Sequence, residues 1–126
     1  MKFVFIADAF ANMIHGGGEL NNQELIGLLK SQGHEVEEKL SHHVTITYLK
    51  SKKDWKFIIS NFWNLNSAVI RELAEQPLKI DYCIYEHDHK YLESRNPAEY
   101  PNFKVPKSKI VNYKFYESAA AVICQS

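Results

Sequence analysis

Charge of one sign, long apolar runs and cysteine are what this sequence has little of. Its 126 residues carry 15 Lys and Arg against 15 Asp and Glu, a formal net charge of zero, with no block of like charge. That removes the electrostatic footprint of a nucleic-acid binder. No apolar run approaches the roughly 20 residues that a membrane-spanning helix needs. Lys2 is followed only by Phe3-Val4-Phe5-Ile6-Ala7 before Asp8, which is too short for a secretory leader, so a cytoplasmic location is expected. The only cysteines, Cys83 and Cys124, both lie inside apolar runs and read as buried free thiols rather than a disulfide. A P-loop, a Cys-x-x-Cys pair, a Ser/His/Asp nucleophile elbow and a G-x-G-x-x-G fingerprint are all missing as well. A nucleotide-dependent oxidoreductase or epimerase therefore lacks its cofactor motif.

What remains is ordinary globular composition, 45% hydrophobic and 24% charged. A chain of this length supports one core, so residues 1–126 are read as a single domain. Lys2–Ala7 is a short buried strand. After it, Asp8–Gly17 reads as a loop, and from Gly18 the pattern turns helical with Leu25, Leu28 and Leu29 on one face. Gly33 stands where a left-handed helix cap belongs. His34–Leu40 alternates as a half-exposed strand. Val44–Lys50 fits either a strand or a two-turn helix capped by Ser41. Phe57-Ile58-Ile59 is a third strand, and Ser60-Asn61 is placed to cap a helix over about Trp63–Glu75, with Leu65, Val69, Ile70 and Leu73 on its apolar face and Pro77 beyond its end.

Ile80–Tyr85 is apolar nearly throughout, as in a strand covered on both faces. The stretch from His87 to Lys107 is irregular and holds Pro97, Pro101 and Pro106. A loop of about 20 residues in a compact domain usually means function or an interface. It is expected to be ordered mainly by a partner domain or an acceptor. Ser108 can cap a helix running to about Ser118, and Ala119–Gln125 is a last strand. This alternation implies a Rossmann-like parallel sheet of about five strands, with right-handed crossovers and helices on both faces. The sequence stops at Ser126, at the carboxyl end of that last strand, and is read as part of something longer.

In such a sheet the carboxyl edge is where ligands sit. Three polar clusters far apart in sequence are expected to share it: Asp8–Gly18, Ser60-Asn61 and Glu86-His87-Asp88-His89. Gly16-Gly17-Gly18 ahead of a helix lets backbone N–H groups approach an anion, aided by the helix dipole. A flexible turn with a glycine cap explains the same residues, and Glu19 puts an anion beside the turn. His87, with Asp88 and His89, can supply a general base, hydrogen bonds to sugar hydroxyls or the start of a metal site. A third metal ligand is not evident, because His42-His43 lies elsewhere. A solvated polar loop explains the cluster equally well. Arg95 can pair with a carboxylate or phosphate or simply lie on the surface. Trp55, Trp63 and the tyrosines can stack on sugars or bases, although most are explained as core and edge aromatics.

Two groups of residues are similar to a known family. Phe3-Val4-Phe5-Ile6, Gly16-Gly17-Gly18-Glu19, Leu28-Leu29-Lys30 and Gly33-His34-Glu35-Val36 look like an opening strand, a "G-G-x-E" loop and an "L…G-H-E-V" approach to strand two. Tyr85-Glu86-His87-Asp88-His89-Lys90-Tyr91, Arg95-Asn96-Pro97 and Ala121-Val122-Ile123-Cys124-Gln125-Ser126 look like a histidine-ended strand and a later "A-x-x-V-I-x-x-S" strand. Together they resemble the N-terminal half of GT-B-fold glycosyltransferases, in particular the retaining group that uses nucleotide-sugar donors. The resemblance implies an acceptor-side domain, with the C-terminal donor-binding domain absent from this sequence. It implies that Gly17 and Gly18 approach the donor phosphate or the acceptor, and that His87 contacts the transferred sugar, with His89 its rival. Glu19, Asn61, Asp88 and Arg95 are the further substrate-binding candidates. No D-x-D motif occurs, consistent with a metal-independent member without a cofactor. The expected partners are a nucleotide-sugar donor and an acceptor whose identity is open. Self-association is open too, as is a non-catalytic binding or scaffold half whose catalytic partner is a separate chain.

Overall fold

The structure is a computed structural model that describes residues 1–10, 17–86 and 113–124. The strands β1 (Lys2–Ala7), β2 (Glu35–Leu40), β3 (Lys56–Ile59), β4 (Tyr82–Glu86) and β5 (Ala121–Cys124) form one five-stranded sheet in the order β2-β1-β3-β4-β5. Every neighbouring pair is parallel. Parallel neighbours require crossovers, and the described ones contain α1 (Gly17–Ser31), α2 (Ile46–Ser51), α3 (Ser67–Glu75) and α4 (Tyr113–Ser118). The result is the Rossmann-like α/β architecture implied by the alternation of the sequence.

Alternate side chains on each strand point to opposite faces, and here both faces are covered. Val4, Ile6, Phe57, Ile59, Tyr82 and Ile84 pack with Leu49 of α2, Val69 and Leu73 of α3 and Phe115 of α4. Phe5, Ala7 and Ile58 pack on the other side with Ile26 of α1. Double coverage explains why β1 and β3 read as unbroken apolar runs. The two edge strands differ. The sequence of β2 is Glu-Val-Glu-Glu-Lys-Leu, a charged edge that discourages strand addition. On β5, Val122 and Ile123 are exposed.

Within α1 the inward stripe is Asn22 and Ile26, flanked by Leu25 and Leu29, whereas Leu28 is 53% exposed. The expected apolar face is corrected accordingly: at about 100° per residue, Leu28 lies nearly opposite Ile26. The helix ends as expected at Gly33, with φ +88°, where the Gly33 and His34 N–H groups donate to the carbonyls of Lys30 and Leu29. Gly27 and Gly33 both face open space where a Cβ would go. Alanine should nevertheless act with opposite sign at the two sites. Gly27→Ala should stabilise by about 0.5–1 kcal/mol through helix propensity. Gly33→Ala should destabilise by about 1–2 kcal/mol because its backbone is left-handed. Urea unfolding of the two variants measures the contrast.

The ambiguous Val44–Lys50 segment is helical from Ile46, and its cap is Thr45, whose Oγ1 accepts from the Tyr48 N–H. Ser41 instead opens a single 3-10 turn, Ser41–His43. The α3 start also needs correction. It begins at Ser67 rather than Trp63, with the Asn66 side chain accepting from the Ala68 N–H, and neither Ser60 nor Asn61 caps it. The turn ahead of it is captured by a different group, described below. Its end is as expected, with Gln76 left-handed at φ 60° directly before Pro77. The predicted helix start at Ser108, the strand residue Gln125 and the Pro-containing loop lie outside the described residues.

A polar cluster ties α2 to β2. The Tyr48 hydroxyl donates to Glu37 Oε2, and Lys52 Nζ lies 3.4 Å from Glu37 Oε1. The tyrosine hydrogen bond, then Lys52 and more weakly Lys39, holds the Glu37 carboxyl below its ordinary value of 4.5. Burial, then the Glu37 carboxylate, pushes the Tyr48 phenol upward. Because the folded carboxyl is depressed, its contribution is complete above the unfolded pKa and disappears as pH falls through the folded one. Tyr48→Phe should therefore lower the urea midpoint at neutral pH, and its difference from the parent should shrink on acidification. A difference that grew with acid would refute this account of the cluster.

Candidate functional site at the carboxyl edge

Successive strands here alternate with helices, so each chain leaving a strand emerges at the same edge. Between β1 and β3 the connections also diverge. From β1 the chain goes through α1 to β2 on one side, and from β2 it crosses to β3 by way of α2 on the other. Such a switch point is where open α/β sheets bind ligands.

Three side-chain hydrogen bonds build this edge. Ser60, directly after β3, is 1% exposed, and its hydroxyl donates to Oδ1 of fully buried Asn22 on α1 at 3.0 Å. Ser41, after β2, donates at 2.9 Å to the carbonyl of Asn61. Asp8, after β1, accepts the Trp63 N–H on Oδ2 and the Asn64 N–H on Oδ1, each at 2.9 Å. An oriented carboxylate taking two backbone donors is a strong anchor for a turn. It fixes residues 63 and 64 in a turn that precedes α3, which starts at Ser67 with Asn66 as its cap.

Two of the three expected clusters therefore come together. Gly17 is the first residue of α1, one position earlier than the periodicity predicts, followed by Gly18 and Glu19 in its first turn. The Asn22–Ser60 bond draws that end of α1 against the end of β3, next to Asn61. Glu86 closes β4 at the same edge. His87, Asp88, His89 and Arg95 lie outside the described residues. Backbone N–H groups at the first turn of a helix can take an anion, and the serine and asparagine beside it offer neutral hydrogen-bonding groups.

Sequence reasoning missed Asn22 and the role of Asp8. Asn22 carried a faint signal, since it lies four positions before Ile26 and so on the inward stripe. Nothing in sequence links Asp8 to residues 55 and 56 positions away. Asp8→Ala should cost about 1–2 kcal/mol, on the scale of a lost cap. It should also abolish hydrogen-exchange protection of the Trp63 and Asn64 amides, as amide-resolved exchange would show.

Among the described residues no cluster of three His, Cys, Asp or Glu side chains is placed to hold a metal ion, and no helix is long and apolar enough to cross a membrane. Cys83 is a free cysteine, half-buried rather than buried, and burial, then the Asp81 charge, pushes its thiol up. A thiol raised in this way is a poor nucleophile. The side chain of Cys124 lies outside the described residues. Comparison with known proteins yields no matching family model, no matching curated protein and no matching solved structure.

Proposed function

We propose that this chain is the N-terminal, acceptor-side domain of a GT-B glycosyltransferase, acting in sugar transfer from a nucleotide-sugar donor. One observation carries the reading. The glycine-led start of α1 and the Ser60-Asn61 turn meet at the switch point of a parallel sheet, pinned by the Asn22–Ser60 hydrogen bond. In this reading the Gly17 and Gly18 backbone approaches donor phosphate or acceptor. Glu19, Asn61, Asp88, His89 and Arg95 contact substrate, and His87 touches the transferred sugar. The opposing domain holds most of the donor, and the reaction occurs where the two walls bring donor and acceptor to near-attack distance. A single wall leaves its dipoles facing water, where they lose most of their value.

The test is release of nucleoside diphosphate from a panel of nucleotide sugars. The 126-residue chain is assayed alone and together with a donor-binding domain of the proposed class supplied as a separate polypeptide. The chain alone should not turn over, and the pair should. Turnover by the isolated chain would refute the half-site argument. A pair that bound donor but never released nucleotide would favour a binding or scaffold domain instead.

A further inference from the structure

Trp63 is 67% exposed, although tryptophan is on average a highly buried residue. It does not stand on a loose segment. Its backbone N–H and that of Asn64 are both held by the Asp8 carboxylate. The side chains on either side of the pair, Phe62 and Leu65, are 3% and 6% exposed and anchored in the core. The turn between β3 and α3 is thus fastened at four points and presents an indole and an exposed amide, Asn64, to solvent at the switch-point edge. A large rigid aromatic surface on a fixed turn loses little conformational entropy on binding.

The chemistry around it selects the partner. Residues 60–66 read Ser-Asn-Phe-Trp-Asn-Leu-Asn, and neither this segment nor the described residues 7–10 and 17–19 contains a lysine or arginine. A phosphate-bearing ligand would find no cation in these residues. A neutral ring with an apolar face and hydroxyls around its rim finds an aromatic plane for the face and amides for the hydroxyls. We infer that Trp63 is a stacking platform for a pyranose ring, and that the ligand taken at the β1/β3 edge is a saccharide. Its role as the acceptor rests on the transferase reading above, whereas the binding does not.

The experiment follows the Trp63 indole N–H signal by heteronuclear NMR, assigned by its disappearance in Trp63→Phe. The probes are maltose, cellobiose, lactose and N,N′-diacetylchitobiose at millimolar concentration, with UMP and AMP in a second arm. At least one disaccharide should shift the signal saturably. By amide shifts, Trp63→Ala should weaken binding about tenfold or more, with Trp63→Phe in between. Circular dichroism of both variants separates lost binding from lost fold. Silence to every disaccharide overturns the inference, as does a shift produced by the nucleotides alone. A shift that follows protein concentration overturns it in favour of contact between copies. Saccharide binding without transfer by the assembled pair would sink the transferase reading and leave this one standing. Transfer with a silent Trp63 would do the reverse.

Discussion

His87→Ala in the assembled two-domain protein is expected to lower sugar transfer about 100-fold or more, the usual scale for one preorganised hydrogen-bonding group at a reacting centre. The expectation follows from the kind of reaction proposed. Donor cleavage separates a sugar from a nucleoside diphosphate, and charge develops on both as the bond lengthens. Groups fixed beforehand against the sugar gain value at that moment, because they need not reorganise. Glu86, the last residue of β4, ends at the edge where α1 begins and β3 ends, and His87 is the next residue in the sequence. The effect should fall on kcat more than on KM, because the contact strengthens only in the transition state. Should His87→Ala be tolerated and His89→Ala not, the functional histidine is His89 and the fold reading is untouched.

Phe115→Ala is the largest expected effect on stability, about 3–5 kcal/mol for deletion of a buried aromatic ring. Phe115 is 1% exposed. It stacks on Tyr82 of β4 at 5.3 Å and 15°, and it meets Phe62 edge-on at 5.1 Å. The Tyr82 hydroxyl, itself buried, donates to the Phe115 carbonyl, and the Ser118 hydroxyl donates to the Ala74 carbonyl of α3. A helix of six residues has no stability of its own, so these contacts hold α4 in place. Through α4 they also set the approach to β5, where the Ala120 N–H donates to the Tyr82 carbonyl. Urea unfolding should register the full loss. A loss below about 1 kcal/mol, against the usual cavity cost, would mean that α4 does not depend on this ring.

The legible part of this fold was set by periodicity. β1 and β3 are buried on both faces and β4 on the face of Tyr82 and Ile84, so a run of apolar residues sufficed to find them, and Gly33 marked the end of α1 because its backbone turns left-handed. Parallel order followed from alternation alone. What was not legible depended on residues distant in sequence. The start of α3 was misplaced because Asn66, not Ser60 or Asn61, caps it, and the turn ahead of it is held by Asp8, 55 and 56 positions away. Ser41 read as a helix cap from its residue type alone, whereas its hydroxyl donates to the carbonyl of Asn61 and Thr45 caps α2. Leu28 was assigned to the core by spacing that fits the helix but not its rotation on the sheet, which Asn22 and Ile26 define. At the candidate site the glycines and Ser60-Asn61 were visible as polar punctuation after strands, whereas their joining through Asn22 was not.

The most direct test is an amide shift map of the isotopically labelled chain, titrated with maltose and, separately, with N,N′-diacetylchitobiose. The account predicts perturbations confined to one patch, formed by Asp8 to Phe10, the first turns of α1 from Gly17 to Asn22, and Ser60 to Asn64. Shifts centred instead on the amino edge of the sheet, around Lys2, Trp55 and Asp81, would contradict it.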